Sequence, residues 1–215
     1  MTPTEPLSSG PPAARGARLP RPARRKQLLS AAQAVFVAHG YHAAAMDDIA
    51  ERAGVSKPVL YQHFPSKREL YLALLDQHAE ALVARVHEAL ESTTDNHRRV
   101  QASVQAYFDF VDGAGTPGEG AFRLVFESDL RNDPAVGERV ERMTMLCVES
   151  IARTIAHDTG HREEEAVLLS VALSGAAEVS ARWWLGSQGR VPKERAVELL
   201  VGLIWRGISG SPRTA

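Results

Sequence analysis

Six of the twelve prolines fall within residues 1–22, and none falls between 66 and 116. Because proline cannot continue a helix interior, this distribution allows long helices after residue 22 and opposes them before it. From Pro22 onward the apolar spacing is helical: Leu28, Ala32, Val35, Phe36 and His39 recur at three and four, and Gly40 supplies a stop. Short helices are expected around Ile49 and Ala50, ending at Gly54, and around Leu60 and Phe64. A long one follows, with its stripe at Tyr71, Leu75, His78, Leu82, Val86 and Leu90. Further helices over 98–111, 121–130, 134–157, 163–184 and from Pro192 onward give an all-α chain of about nine. No segment shows strand alternation.

With 44% apolar residues in 215, the chain can build one core or two small ones. It has no run of the ~20 apolar residues needed to span a bilayer, so no membrane role is expected. A lone cysteine, Cys147, excludes an internal disulfide and fits a reducing cytoplasm. The net charge of −1 conceals a division along the chain. Residues 1–67 hold nine Lys/Arg against four acids, a surplus of five, which leaves −6 for the remaining 148 residues. The basic end is the candidate for a polyanion. Six of its cations lie in residues 15–26 with no acid among them, in a segment with no apolar stretch ahead of it. That segment is expected to be a flexible basic arm, not a secretory signal.

The segment from Asp47 to Tyr61 meets the demands of a helix-turn-helix. Ala50 is small where two helices cross, and Gly54, four residues later, can take the positive φ of a tight turn. Val55 and Leu60 close the space between the helices. Ser56 suits an N-cap, and Pro58 falls in a first turn, where a missing N–H costs nothing.

Gly40-Tyr41, Ile49-Ala50, Ala53-Gly54-Val55-Ser56, Leu60 through Lys67 and Leu70 together resemble the N-terminal domain of the TetR family of transcriptional regulators. The resemblance covers about residues 22–72. It implies a homodimeric, cytoplasmic, one-component repressor with three regions. Residues 1–21 are a basic arm, 22–67 a DNA-binding head, and 68–215 a bundle that binds a small molecule and dimerises. It implies that Ser56, Lys57, Val59 and Tyr61 meet operator DNA from the recognition helix. Tyr61, His63, Tyr41 and Lys67 would lie near phosphates; apart from the resemblance, Arg15, Arg18 and Arg21 of the basic arm are expected to lie along a groove. One departure is visible: Ala44-Ala45 stands where the family often places a hydroxyl cap, leaving only Asp47 to favour the helix dipole.

After Lys67 the sequence offers volume and faces. Phe108, Phe110, Phe122, Phe126, Met143 and Cys147 offer apolar volume that by itself reads as ordinary core; the resemblance implies that they line a ligand site for a small hydrophobic effector, with a lean toward a long-chain acyl compound. The small-sided surface of Ser170, Ser174, Ala177 and Ala181, with the stripe Val197, Leu200, Val201 and Ile204, is the expected dimer interface. Gly113 to Gly118 satisfies GxGxxG but follows a helix, so it is a loop and not a dinucleotide site. His157 and His161 have metal-compatible spacing that Gly160 interrupts, so neither metal nor cofactor is expected. Two rivals remain. A helical enzyme using Glu127, Asp129, Cys147 and His157 leaves the first 67 residues unexplained. A ligand-independent architectural DNA-binding protein is separated from a regulator only by a defined pocket.

Overall fold

The structure, a computed structural model, describes residues 19–113, 130, 132–187 and 189–207, which form eight helices and no strand. They are α1 (Arg21–Ala43), α2 (Met46–Arg52), α3 (Lys57–His63), α4 (Lys67–Glu91), α5 (Asn96–Asp112), α6 (Pro134–Thr159), α7 (Glu163–Gly186) and α8 (Lys193–Arg206). The expected helix over 121–130 lies outside the described residues, as do Arg15, Arg18, Phe122, Phe126, Glu127, Asp129 and the loop after Gly113.

Helix boundaries follow the local chemistry. At Gly40 the backbone takes φ 73° and ψ 168°, a region open only to glycine, so the regular part of α1 stops there and one further turn continues to Ala43. Arg21, expected in the arm, sits in the first turn of α1. Ser66 caps α4 by accepting from the Glu69 N–H at 3.1 Å, and Asp95 caps α5 by accepting from the Arg98 N–H at 3.1 Å. Asp133 caps α6 ahead of Pro134, accepting from the Ala135 N–H at 2.9 Å. Three glutamates open α7, where the helix dipole favours them.

Helices α1–α3 form the head, with α1 resting on α4. In the bundle α5 packs against α4, α7 and α8, while α6 joins α4 to α7. Phe108 and Phe110, two residues apart and so on different sides of α5, are both buried because α5 is flanked on several sides. Two ion pairs fasten α4 to α6. Arg68 donates from Nε and Nη2 to the two oxygens of Asp133 at 3.1 and 2.9 Å, and Arg139 Nε lies 2.8 Å from Asp76 Oδ1.

The expected dimer face must be corrected. Ser170, Ser174, Ala177 and Ala181 are buried within the subunit, and so are Val197, Leu200 and Val201; Ile204 is half-buried. Their small side chains do permit close helix approach, but the neighbours are α5, α6 and α8 of the same chain. The outward side of α7 carries a second apolar stripe at Leu168, Val171, Val179 and Trp183, with Leu168 70% and Trp183 63% exposed. Leu199, Leu203 and Trp205 extend exposed apolar surface onto α8. Trp184 belongs to the core: its ring lies 5.5 Å from that of Phe108, and its indole N–H donates to the Val191 carbonyl at 2.8 Å.

Candidate functional site

The turn between α2 and α3 forms as its residues require. Gly54 has φ +62°, with open space around a would-be Cβ, so backbone conformation and not crowding selects glycine. Its N–H donates to Glu51 O at 2.9 Å, and the Val55 N–H donates to Ala50 O at 3.0 Å. Ala50, Ala53, Leu60 and Phe64 are buried beneath this turn. Gln27 fixes α1 against it, donating from Nε2 to the Ala53 carbonyl at 2.8 Å. The short α3 therefore projects from a closed core.

Burial divides α3 into two sides. Leu60 is buried, Val59 is half-buried, and Ser56, Lys57, Pro58, Tyr61 and Gln62 are exposed. Tyr61, at 40% exposure, lacks the burial of a core tyrosine. Ser56 holds the N-cap position of α3 without a capping bond from its hydroxyl. Ala45 caps α2 with no polar side chain, while Asp47 and Asp48 occupy the first turn. Lys57 Nζ lies 2.7 Å from Asp47 Oδ1, an exposed pair that water and salt weaken. Asp47, expected only to favour the dipole, thus also steadies a candidate DNA contact.

The first turns of α1 bring cations to the end of α3. Partial burial, then the charges of Arg21, Arg25 and Arg24, push the His63 pKa down. The Arg25 guanidinium lies 4.5 Å from the Phe64 ring centroid. Arg24 and Arg25 belong to the basic run of residues 15–26, and only the fold sets them beside α3.

Lys67 and Tyr41 have partners that the sequence did not suggest. Lys67 Nζ donates to the carbonyls of Tyr41, His42 and Ala44 at 2.8, 3.1 and 2.9 Å, and lies 4.7 Å from the Tyr41 ring centroid. An ammonium has three N–H donors, and all three are engaged by the end of α1. The expectation that this ammonium holds a phosphate is therefore replaced by a clamp between α1 and α4. Tyr41 is half-buried, with its ring 5.9 Å from Phe36 and 5.2 Å from Tyr71, and desolvation raises its pKa.

Near the opposite end of α4, roughly 35 Å from Lys67 at 1.5 Å per residue, lies a cavity of about 420 Å³. Leu90, Val100, Val104, Tyr107, Ile151, Ile155 and Leu173 form much of its wall, and this size suits a small molecule. Ser174, Ala177 and Ile204, expected at the dimer interface, line it from inside the subunit. Phe108, Phe110, Met143 and Cys147 do not line this cavity; they are packed into the core. Burial raises the Cys147 thiol to about 11 and pushes the Tyr107 hydroxyl, which shares a hydrogen bond with it, well above its usual range. That thiol is the reverse of an activated nucleophile.

Residues 28–74 match the pattern of the bacterial regulatory proteins of the tetR family. Across 200 residues, 93% of this chain and 90% of the relative, the sequence is 47% identical to the HTH-type transcriptional activator FasR of Mycolicibacterium smegmatis. The chain belongs to the TetR family. A TetR-like regulator from Rhodococcus sp. RHA1 superposes with a TM-score of 0.69 at 28% identity, over 90% of this chain and all of that one. FadR of Bacillus subtilis, solved in complex with stearoyl-CoA, shares the fold with a TM-score of 0.70 at 16% identity, over 85% of this chain and 98% of that one.

As a TetR-family member the protein is a DNA-binding transcriptional regulator and not an enzyme. Among the described residues no helix is long and apolar enough to cross a membrane. The cavity wall of this regulator had a partial signal in the sequence. Val100, Val104 and Tyr107 recur at four and three along α5, but that stripe looks the same whether it meets another helix or a void.

Proposed function

We propose that the protein is a homodimer that reads operator DNA with α3 of each head and lets go when a hydrophobic molecule, such as a long acyl chain, fills the cavity. The observation that carries this reading is the course of α6. Its last turns, with Ile151, Ile155 and Asp158, form cavity wall, while Asp133 and Arg139 near its start hold Arg68 and Asp76 of α4. A displacement at the cavity therefore has a packed, ion-paired route to the first turn of α4, which Lys67 clamps to α1.

In the head, Ser56, Lys57 and Tyr61 face the major groove, with Val59 beside them and His63 near a phosphate. Arg21, with Arg24 and Arg25, holds backbone phosphate at the start of α1, where the helix dipole adds to the charge. Arg15 and Arg18 extend that contact from the arm. Tyr41 lies near a phosphate only at its hydroxyl edge, since its ring packs inward. The dimer forms on the outward stripes of α7 and α8, apolar surface of the kind that a second copy covers.

The apolar wall of the cavity supports an acyl chain, and FadR of Bacillus subtilis, which shares the fold, was solved in complex with stearoyl-CoA. Release by ligand serves either sign of control, because repression or activation depends on where the operator lies relative to the promoter. FasR is named an activator. The test is the double substitution Arg68→Gln with Arg139→Gln, which removes both ion pairs between α4 and α6 but leaves Asp133 as the cap of α6. The ratio of DNA dissociation constants with and without saturating stearoyl-CoA should shrink toward one while ligand affinity holds. An unchanged ratio would remove α6 as the route.

A further inference from the structure

Lys57 opens α3 and Asp47 lies in the first turn of α2, yet Lys57 Nζ is 2.7 Å from Asp47 Oδ1. Both side chains are exposed, so the pair adds little to stability. It stands instead where the head meets DNA, next to the exposed Ser56, whose hydroxyl makes no capping bond.

The cations of the head fall into three states. Lys67 gives its N–H donors to the carbonyls of Tyr41, His42 and Ala44. Arg21 and Arg24 open α1, which has no acid in its first turn, so their charge is open to phosphate. Lys57 lies between these extremes: Asp47 takes one of its three N–H donors, and two remain. The bond to Asp47 is also the main reason that the Lys57 pKa is raised, so the ammonium stays charged.

The carboxylate decides what those two donors can meet. A group accepting from Lys57 at about 3 Å lies within roughly 6 Å of Asp47, closer than the roughly 8 Å over which physiological salt screens charge. A phosphate oxygen brings a negative charge of its own and is repelled. Guanine N7 and O6 are neutral acceptors and take the two donors without that cost. Ala45, at the cap of α2, has no hydroxyl to draw a phosphate back, and Asp48 adds a second negative charge beside Asp47.

We propose that Asp47 is a specificity-determining residue, which holds Lys57 for a base edge and turns phosphates away, so that Lys57 adds affinity on the right sequence and little on any other. The inference rests on the reading of α3 as the element that enters the major groove, and it gives an acid the task of separating operator from bulk DNA.

The test is anisotropy of the full-length protein at stepped salt on two duplexes, one with a site selected by the wild-type protein from a random-sequence pool and one with that site scrambled. Asp47→Asn keeps the side chain's size and removes its charge. It should bind the scrambled duplex roughly three- to tenfold tighter, with a salt slope steeper by about one counterion, because Lys57 turns to a phosphate. Affinity for the selected site should not rise, so the ratio between the duplexes falls by at least that factor. Asp48→Asn makes the same change in net charge one residue away and should leave the ratio as it was. In a Lys57→Ala background, Asp47→Asn should move the ratio no further. Equal shifts on both duplexes, or a ratio lowered as much by Asp48→Asn, would overturn the role of Asp47 while Lys57→Ala still weakens the selected site. If Lys57→Ala leaves the selected site untouched, the reading of Lys57 as a base contact falls as well.

Discussion

Replacing Lys67 by alanine separates a clamp from a phosphate contact, the role implied by the family resemblance. The substitution leaves the carbonyls of Tyr41, His42 and Ala44 without their donor and removes the ammonium 4.7 Å from the Tyr41 ring centroid. A hydrogen bond from a charged donor contributes about 1.5–3 kcal/mol. The three share one ammonium, and water can reach the partly exposed carbonyls, so they will not add. A total of about 2–4 kcal/mol follows, against roughly 2–4 °C of melting temperature per kcal/mol for a chain of this size, giving a fall of roughly 5–15 °C. Calorimetry reads that fall, and hydrogen exchange should show faster exchange confined at first to the end of α1. The slope of log affinity against log salt on DNA should stay as in the wild type. An unchanged melting temperature together with a salt slope lower by about one counterion would refute the clamp.

Ala177→Arg should cost the subunit its fold, because an unpaired guanidinium would enter a buried site in α7, whereas Trp183→Glu on the outward side should give a folded monomer; circular dichroism with light scattering distinguishes them. Tyr61→Ala should weaken operator binding by about 1–3 kcal/mol with little change in melting temperature, given its 40% exposure; anisotropy titration beside a melt checks this. His78 is buried in α4, and desolvation lowers its pKa from 6.5 to about 4. Between those values the unfolded chain binds the proton and the folded chain does not, so stability should be lost as pH falls from about 6.5 toward 4, by about 3 kcal/mol in all. His78→Leu should flatten that part of the curve in urea titrations at stepped pH.

The head could be read from the sequence because its constraints are local. The positive φ at Gly54, the cap position at Ser56 and the inward Leu60 each follow from residue type and spacing within fifteen residues. The misreadings have physical causes too. Helix α7 is apolar on both sides, one facing its own core and one outward, and sequence alone does not say which partner a small-sided face meets. Phe108 and Phe110 promised pocket volume but fill core, whereas the void lies along Val100, Val104 and Tyr107, where the wall is set by four other helices. Lys67 matched a family position for phosphate, yet the extra turn beyond Gly40 brings three carbonyls to its ammonium. Such long-range placement has no signature in spacing.

The most direct test of the whole account is the affinity for operator DNA, measured by anisotropy on the wild-type protein with and without saturating stearoyl-CoA, with occupancy of the cavity established in the same samples by calorimetry. A coupling of roughly 1–3 kcal/mol predicts DNA binding weaker by about five- to 150-fold when the cavity is full. Full occupancy with an unchanged DNA dissociation constant would contradict it.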